Sequence, residues 1–320
     1  MTKLLIIHTG GTISMHTDEN GSVEKSDHNP LLTLIGNQSN GVTIDQEELF
    51  NEPSPHMTPA KMLQISNKIN AVGQKYDGIV VTHGTDTLEE TAYFLDLTTD
   101  VACPVAVTGA MRSTDQIGAD GISNIRAALT AVLSPLAHGQ GVMVVLDQQI
   151  HAARYVTKSN TTSLSTFKSP EIGPLGEIIG SSAFFYSNVT RDQTLNIDHL
   201  ATGFYMFKAY AGMDDSIINL LDITTTHGIV IEGMGAGNLP PKVAEALQRF
   251  IDADIPVILV SRCYSGQAVP VYAYDGGGVQ LVKHGFIISR YLNGQKALIR
   301  LRVGVSAELR GKELADYLRN

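Results

Sequence analysis

The chain has 320 residues and a net charge of −9, from 23 basic and 32 acidic side chains. Its length predicts two domains or one large α/β unit, and a composition of 43% hydrophobic and 17% charged residues excludes a disordered chain. The acidic balance lacks the basic footprint of a nucleic-acid binder or of a protein drawn to anionic membranes. Two cysteines cannot supply a disulfide framework.

In chain order, Lys3–His8 reads as a buried strand ended by Gly10-Gly11. The apolar run Leu4–Ile7 stops at His8, too short for a signal-peptide core. No run reaches the ~20 apolar residues of a membrane span. These features predict a cytoplasmic address. The polar stretch Ile13–Asn29 is long for a strand-to-helix connection and reads either as a mobile lid or as an ordinary exposed loop. Asn29-Pro30 and Thr58-Pro59 each place a capping residue before a proline at the first helical position. Behind the second, Met62, Ile65, Ile69 and Val72 share a helical face. Gly78–Thr82, Pro104–Thr108 and Val142–Asp147 read as strands, and Asp86–Thr98 and Asp120–Ser134 as helices. Strands alternating with helices predict a doubly wound parallel sheet covered on both faces. Ligands then sit beyond the carboxyl ends of the strands, which puts His8–Thr12, Thr82–Asp86 and Thr108–Met111 on one rim.

The polar stretch Ser187–Thr202 breaks the pattern and reads as an interdomain connection. The expected division is a catalytic α/β domain over residues 1–188, a linker over 189–203 and a smaller C-terminal α/β domain over 204–320. In the latter, Phe204–Tyr210, Gly228–Glu232 and Pro256–Ser261 read as strands. Asp214–Ile223, Pro240–Ala253 and Glu308–Leu318 read as helices, and Gly276-Gly277-Gly278 as a turn.

Phosphate loops, dinucleotide fingerprints and zinc-ligand spacings are missing. Three hydroxyl-rich segments remain. Thr9-Gly10-Gly11-Thr12-Ile13 ends the first strand. By itself it reads first as a tight turn with a capping threonine, and alternatively as a nucleophile with an oxyanion site beside it. In His83-Gly84-Thr85-Asp86-Thr87, Thr85 or Asp86 suits a helix cap, or a carboxylate for a substrate amine beside a second hydroxyl. In Thr157-Lys158-Ser159-Asn160, the lone lysine reads as a solvated side chain or as a proton acceptor for a hydroxyl.

Taken together, these segments resemble the bacterial-type L-asparaginase family. Leu88-Glu89-Glu90-Thr91-Ala92, Thr108-Gly109-Ala110-Met111-Arg112 and Gly235-Ala236-Gly237-Asn238-Leu239 extend the resemblance over nearly the whole chain. The resemblance implies a large and a small α/β domain. It also implies hydrolysis of the L-asparagine side-chain amide without metal or organic cofactor. A further implication is self-association into dimers or tetramers, with each active site at an intimate dimer interface. By motif matching, Thr12 is the primary nucleophile on the first loop. Thr85, Asp86 and Lys158 form a second cluster in which Lys158 helps Thr85 lose its proton and Asp86 holds the substrate α-ammonium. Ser54, followed by Pro55, matches the serine that binds the α-carboxylate. Gly11 and Gly84 line the substrate, Ala110 offers a carbonyl to the amide, and Asn238 is contributed by a partner subunit.

The sequence departs from the family at three places, one of them Pro55, where secreted members often carry glutamine after the carboxylate-binding serine. Many members carry a tyrosine in the first loop, whereas Ile13–Asn29 contains none. An acidic residue lent by the small domain in some members is matched here by Ala273, between Tyr272 and Tyr274. Either tyrosine is then the candidate to reach a neighbouring site. A glutaminase-asparaginase is one alternative, because one methylene in a pocket is worth only ~1–3 kcal/mol of discrimination, and a non-catalytic amino-acid sensor is the other, because fold alone does not fix function.

Overall fold

Burial along the first strand sets the architecture. In β1 (Thr2–Gly10), Leu4 and Ile6 enter one apolar cluster while Leu5 and Ile7 enter another, and all four are buried. A strand covered on both faces requires this. The computed structural model describes residues 2–17, 23–25, 38–39 and 41–319. The Asn29-Pro30 helix start lies outside the described residues, as does much of the Ile13–Asn29 stretch. The chain divides into two units, Met1–Thr194 and Leu195–Asn320.

The first unit continues through β2 (Met15–Thr17), β3 (Val23–Lys25), β4 (Gln38–Ser39), β5 (Val42–Glu52), α1 (Pro59–Val72), β6 (Gly78–Thr82), α2 (Leu88–Thr98), β7 (Val105–Thr108) and α3 (Gly121–Leu133). After these come β8 (Val142–Leu146), β9 (Gln149–Ala152), β10 (Thr157–Lys158), β11 (Phe167–Lys168), β12 (Gly176–Ile179) and β13 (Ser182–Phe185). Among the described residues the main sheet has nine strands in the order β13-β12-β9-β8-β7-β6-β1-β5-β4. The centre, β8-β7-β6-β1-β5, is parallel as expected. Antiparallel strands extend both edges, which strand–helix alternation does not predict. α1 and α2 cover one face through Ile65, Ile69, Leu88, Ala92 and Leu95. α3 covers the other through Ile125, Ala128 and Val132. Part of the expected first loop is strand, since β2 pairs antiparallel with β3.

Residues 187–202 carry no regular element. Their first half is anchored to the first unit, however. Arg191 Nη2 donates to the carbonyls of Asp96 (3.0 Å) and Thr99 (2.7 Å), and Asp192 pairs with Arg154.

The second unit comprises β14 (Phe204–Lys208), α4 (Ser216–Asn219), β15 (Gly228–Gly233), α5 (Pro241–Ile251), β16 (Val257–Ser261), α6 (Gly278–Lys283), β17 (Ile287–Ile288), α7 (Gly294–Ser306) and α8 (Gly311–Arg319). Its sheet, β14-β15-β16-β17, is parallel throughout. α4 is shorter than expected because Asp214 and Asp222 accept the main-chain N–H groups of Ser216 and Thr224, and such turns compete with helix. Gly278 opens a helix rather than closing a turn. The last helix starts late, after a left-handed Glu308 at φ 62°.

Candidate active site

The topology reverses at β1. The chain leaves β1, adds β5 on one side, and returns through α1 to add β6 on the other. In open α/β sheets the crevice at such a reversal, beyond the carboxyl ends of the strands, is the ligand site. Thr12, Ser54 and Thr85 each follow one of these three strands within three residues.

Glycines bring the three turns together. Gly10 and Gly11 hold φ values of +100° and +88°, a conformation strained for any residue with a Cβ. Gly11 N donates to Glu52 O at 2.9 Å. A Cβ on Gly11 would stand 2.2 Å from Gly84 Cα, and one on Gly84 would stand 2.7 Å from Ser54 Cβ. The main chains of the Thr12 and Thr85 turns are therefore in contact. Thr12, half-buried, opens a short 3-10 turn in which Ser14 N and Oγ both donate to Gly11 O. Ile13 is fully buried against the start of α3, where a Cβ on Gly121 would lie 2.8 Å from Ile13 Cγ1.

Lys158 Nζ donates to Thr85 Oγ1 at 3.0 Å and to Asp86 Oδ1 at 2.6 Å. Thr85 is buried, whereas the Asp86 side chain is 60% exposed. An ion pair with one partner so exposed adds little stability, so its consequence is geometric: it fixes the ammonium over the Thr85 hydroxyl. Ser54, also buried, accepts from Asp86 N through Oγ at 3.2 Å, and its carbonyl accepts from Thr87 Oγ1 at 2.9 Å. The sequence-predicted residues Gly11, Ser54, Gly84, Thr85, Asp86 and Lys158 thus form one connected group, with Thr12 following Gly11. Pro55 is exposed beside Ser54. Ala110 is buried on the neighbouring rim turn, whose Gly109 packs on the His83 carbonyl. Asn238 stands in the second unit, where its Oδ1 accepts from Gly278 N at 3.3 Å. Tyr272 and Tyr274 are exposed there, with ring centroids 5.5 Å apart.

Several supporting residues escape sequence reasoning. The Asp120 carboxylate accepts the main-chain N–H groups of Met111 and Arg112 and the side-chain amide of Asn124. Asn124 Nδ2 also donates to Gly109 O at 2.9 Å, and its Oδ1 accepts from Asp147 N at 3.0 Å. Together they hold the turn that carries Ala110. Asn124 sits among apolar residues on the buried face of α3, and a polar group on that face must find partners. That was the available signal.

His83 lies directly behind Gly84, fully buried. Its Nδ1–H donates to Gly84 O at 2.8 Å, which leaves Nε2 to accept from Thr91 Oγ1 at 2.9 Å. Burial pulls its pKa down to about 4. The unfolded chain therefore binds the proton more readily than the folded one, and stability falls as pH drops from the ordinary 6.5 towards 4. The loss is on the order of 3 kcal/mol over that window. Burial of His8 acts with the same sign. Denaturant titrations at pH 7, 5 and 4 check this, and His83→Gln should flatten the slope. An equal slope in the variant would refute the assignment.

Two family models and several known proteins match nearly the whole chain. The family model described as "Asparaginase, N-terminal" matches residues 3–191, and that of the "Glutaminase/Asparaginase C-terminal domain" matches 205–318. A probable L-asparaginase of Deinococcus radiodurans is 36% identical over 317 residues, 96% of this chain and 95% of its own length. The L-asparaginase of Bacillus licheniformis is 34% identical over 94% of each chain. A crystal structure of a probable cytoplasmic L-asparaginase from Campylobacter jejuni superposes with a TM-score of 0.86 at 30% identity, covering 99% of both chains.

Proposed function

The chain belongs to the asparaginase family, and from that premise we propose that it hydrolyses the side-chain amide of L-asparagine to L-aspartate and ammonia by threonine nucleophilic catalysis. The observation that carries this reading is the Lys158 ammonium bonded at once to the Thr85 hydroxyl and the Asp86 carboxylate, on a turn in backbone contact with that of Thr12.

A neutral amide needs a nucleophile, a group that moves protons, and donors for the developing oxyanion. Thr12 Oγ attacks the amide carbon, the nitrogen leaves with a proton as ammonia, and an aspartyl ester on Thr12 remains. Water then cleaves that ester and releases aspartate. Lys158 exchanges a proton with Thr85, whose hydroxyl serves these transfers. Asp86 faces the substrate α-ammonium, Ser54 the α-carboxylate and the Ala110 carbonyl the amide. Holding both ends of the zwitterion supplies orientation, which is worth much of the rate. This chemistry calls for no cofactor.

Self-association belongs to the same proposal: Asn238 of one copy completes the site of another, in a dimer or tetramer. So does a cytoplasmic address, which the similarity to the Campylobacter jejuni protein supports. No helix among the described residues is long and apolar enough to cross a membrane.

Ammonia release from the purified protein, with L-asparagine and L-glutamine in parallel into the millimolar range, tests the reading. Asparagine should exceed glutamine in kcat/KM by at least about 10-fold, the lower limit for one methylene. Comparable rates would make the protein a glutaminase-asparaginase, and no release from either would leave a binder.

A further inference from the structure

Glu89 places a carboxylate where α2 is otherwise buried. It is 4% exposed, in the first turn of the helix, with Leu88, Thr91 and Ala92 buried around it. A charge in that position costs free energy unless it is well partnered. Its Oε1 accepts from Thr157 Oγ1 at 3.0 Å and from Lys158 N at 3.2 Å. The side chain of Lys158 then reaches back to Thr85 and Asp86, the residues that lead into α2. The circuit closes on itself, from the Thr85 turn into α2, through Glu89 to the main chain of Lys158, and through the lysine side chain to Thr85. β10 has little rigidity of its own. It is two residues long and, among the described residues, pairs only with the two-residue β11, well short of an independently stable ladder.

We propose that Glu89 is a positioning residue, whose carboxylate holds the Thr157–Lys158 main chain against the start of α2 so that the Lys158 ammonium meets the Thr85 hydroxyl. The inference rests on the function proposed above. Its effect is on the chemical step, because a misplacement of about 1 Å in a reacting group can cost ~100-fold in rate. Substrate affinity, carried by Ser54 and Asp86, changes little.

Three full-length variants test it, with kcat and KM for asparagine and amide hydrogen exchange on the peptide containing Lys158. Glu89→Leu removes the acceptor, Glu89→Gln keeps an oxygen acceptor without charge, and Thr157→Val removes the Thr157 hydroxyl donor. In Glu89→Leu, kcat should fall about 10- to 100-fold with KM within about 3-fold. Exchange at Lys158 N should accelerate. Glu89→Gln should recover to within about 5-fold of the parent, and Thr157→Val should lose a few-fold in kcat. An unchanged kcat and exchange rate in Glu89→Leu, or a Glu89→Gln no better than Glu89→Leu, overturns the inference. Should Glu89→Leu fail to fold, an unaltered Thr157→Val overturns it. The parent and Lys158→Met are assayed alongside. A parent that turns asparagine over and a Lys158→Met that does not keep the function standing, so the Glu89 series then judges this inference alone. A parent without turnover sinks the function, and the exchange readout still decides whether Glu89 holds Lys158.

Discussion

Replacing Thr12 by alanine should lower kcat for asparagine by at least about 10⁴-fold while asparagine binding stays within a few-fold. Removing a covalent nucleophile removes the reaction path and leaves only what binding and oxyanion donors contribute; the loss reaches about 10⁶-fold in well-studied hydrolases, so about 10⁴-fold is the lower end of the expectation. The substitution should be structurally mild. The turn is held by Ser14 bonding to Gly11 O and by the buried Ile13, neither of which involves the Thr12 hydroxyl. Steady-state ammonia release and calorimetric titration with asparagine check both halves. Turnover at the parental rate would assign the nucleophile elsewhere.

Lys158→Met comes next in size, with an expected loss of about 10²- to 10⁴-fold in kcat, the range for one proton-transferring group. The methionine keeps most of the aliphatic stem and removes the ammonium from Thr85. Melting temperature should move by only a few degrees, because the lost ion pair ends on a carboxylate that is 60% exposed. Lys158→Arg should not restore the rate. A guanidinium stays charged throughout the working pH range and cannot exchange a proton with a hydroxyl. A Lys158→Arg variant with near-parental kcat would turn the lysine into a purely electrostatic anchor.

The central sheet and its covering helices were legible because their strands are unbroken apolar runs and α1 to α3 carry apolar residues at helical spacing. Two elements were not. β5 contains Asp45, Gln46, Glu47 and Glu48 in succession, a composition that discourages strand. Its register against β1, from Thr2↔Val42 onward, overrides local preference. α7 hides for the opposite reason. Its charged Lys296 and Arg300 are buried, at 1% and 2% exposure, while the half-buried stripe of Gln295, Leu298, Arg302 and Val305 mixes polar with apolar residues, so residue polarity does not mark its outer face. Within the site, the hydroxyls, Asp86 and Lys158 could be named because they sit in short motifs at strand ends. Glu89, Asp120, Asn124 and the neutral His83 act through contacts made across the fold, and residue spacing does not show such contacts.

The meeting of Gly11 and Gly84 limits how the crevice can be remodelled. Where these turns touch, the floor is peptide backbone, with no side chain to trim and no room for a methyl group to be added. On the proposed function, a change in the substrate size accepted must therefore come from the walls, through Ser54, the turn carrying Ala110, or the surroundings of Asp86. Mutational drift in this enzyme should be closed at that backbone contact, whatever its surroundings allow.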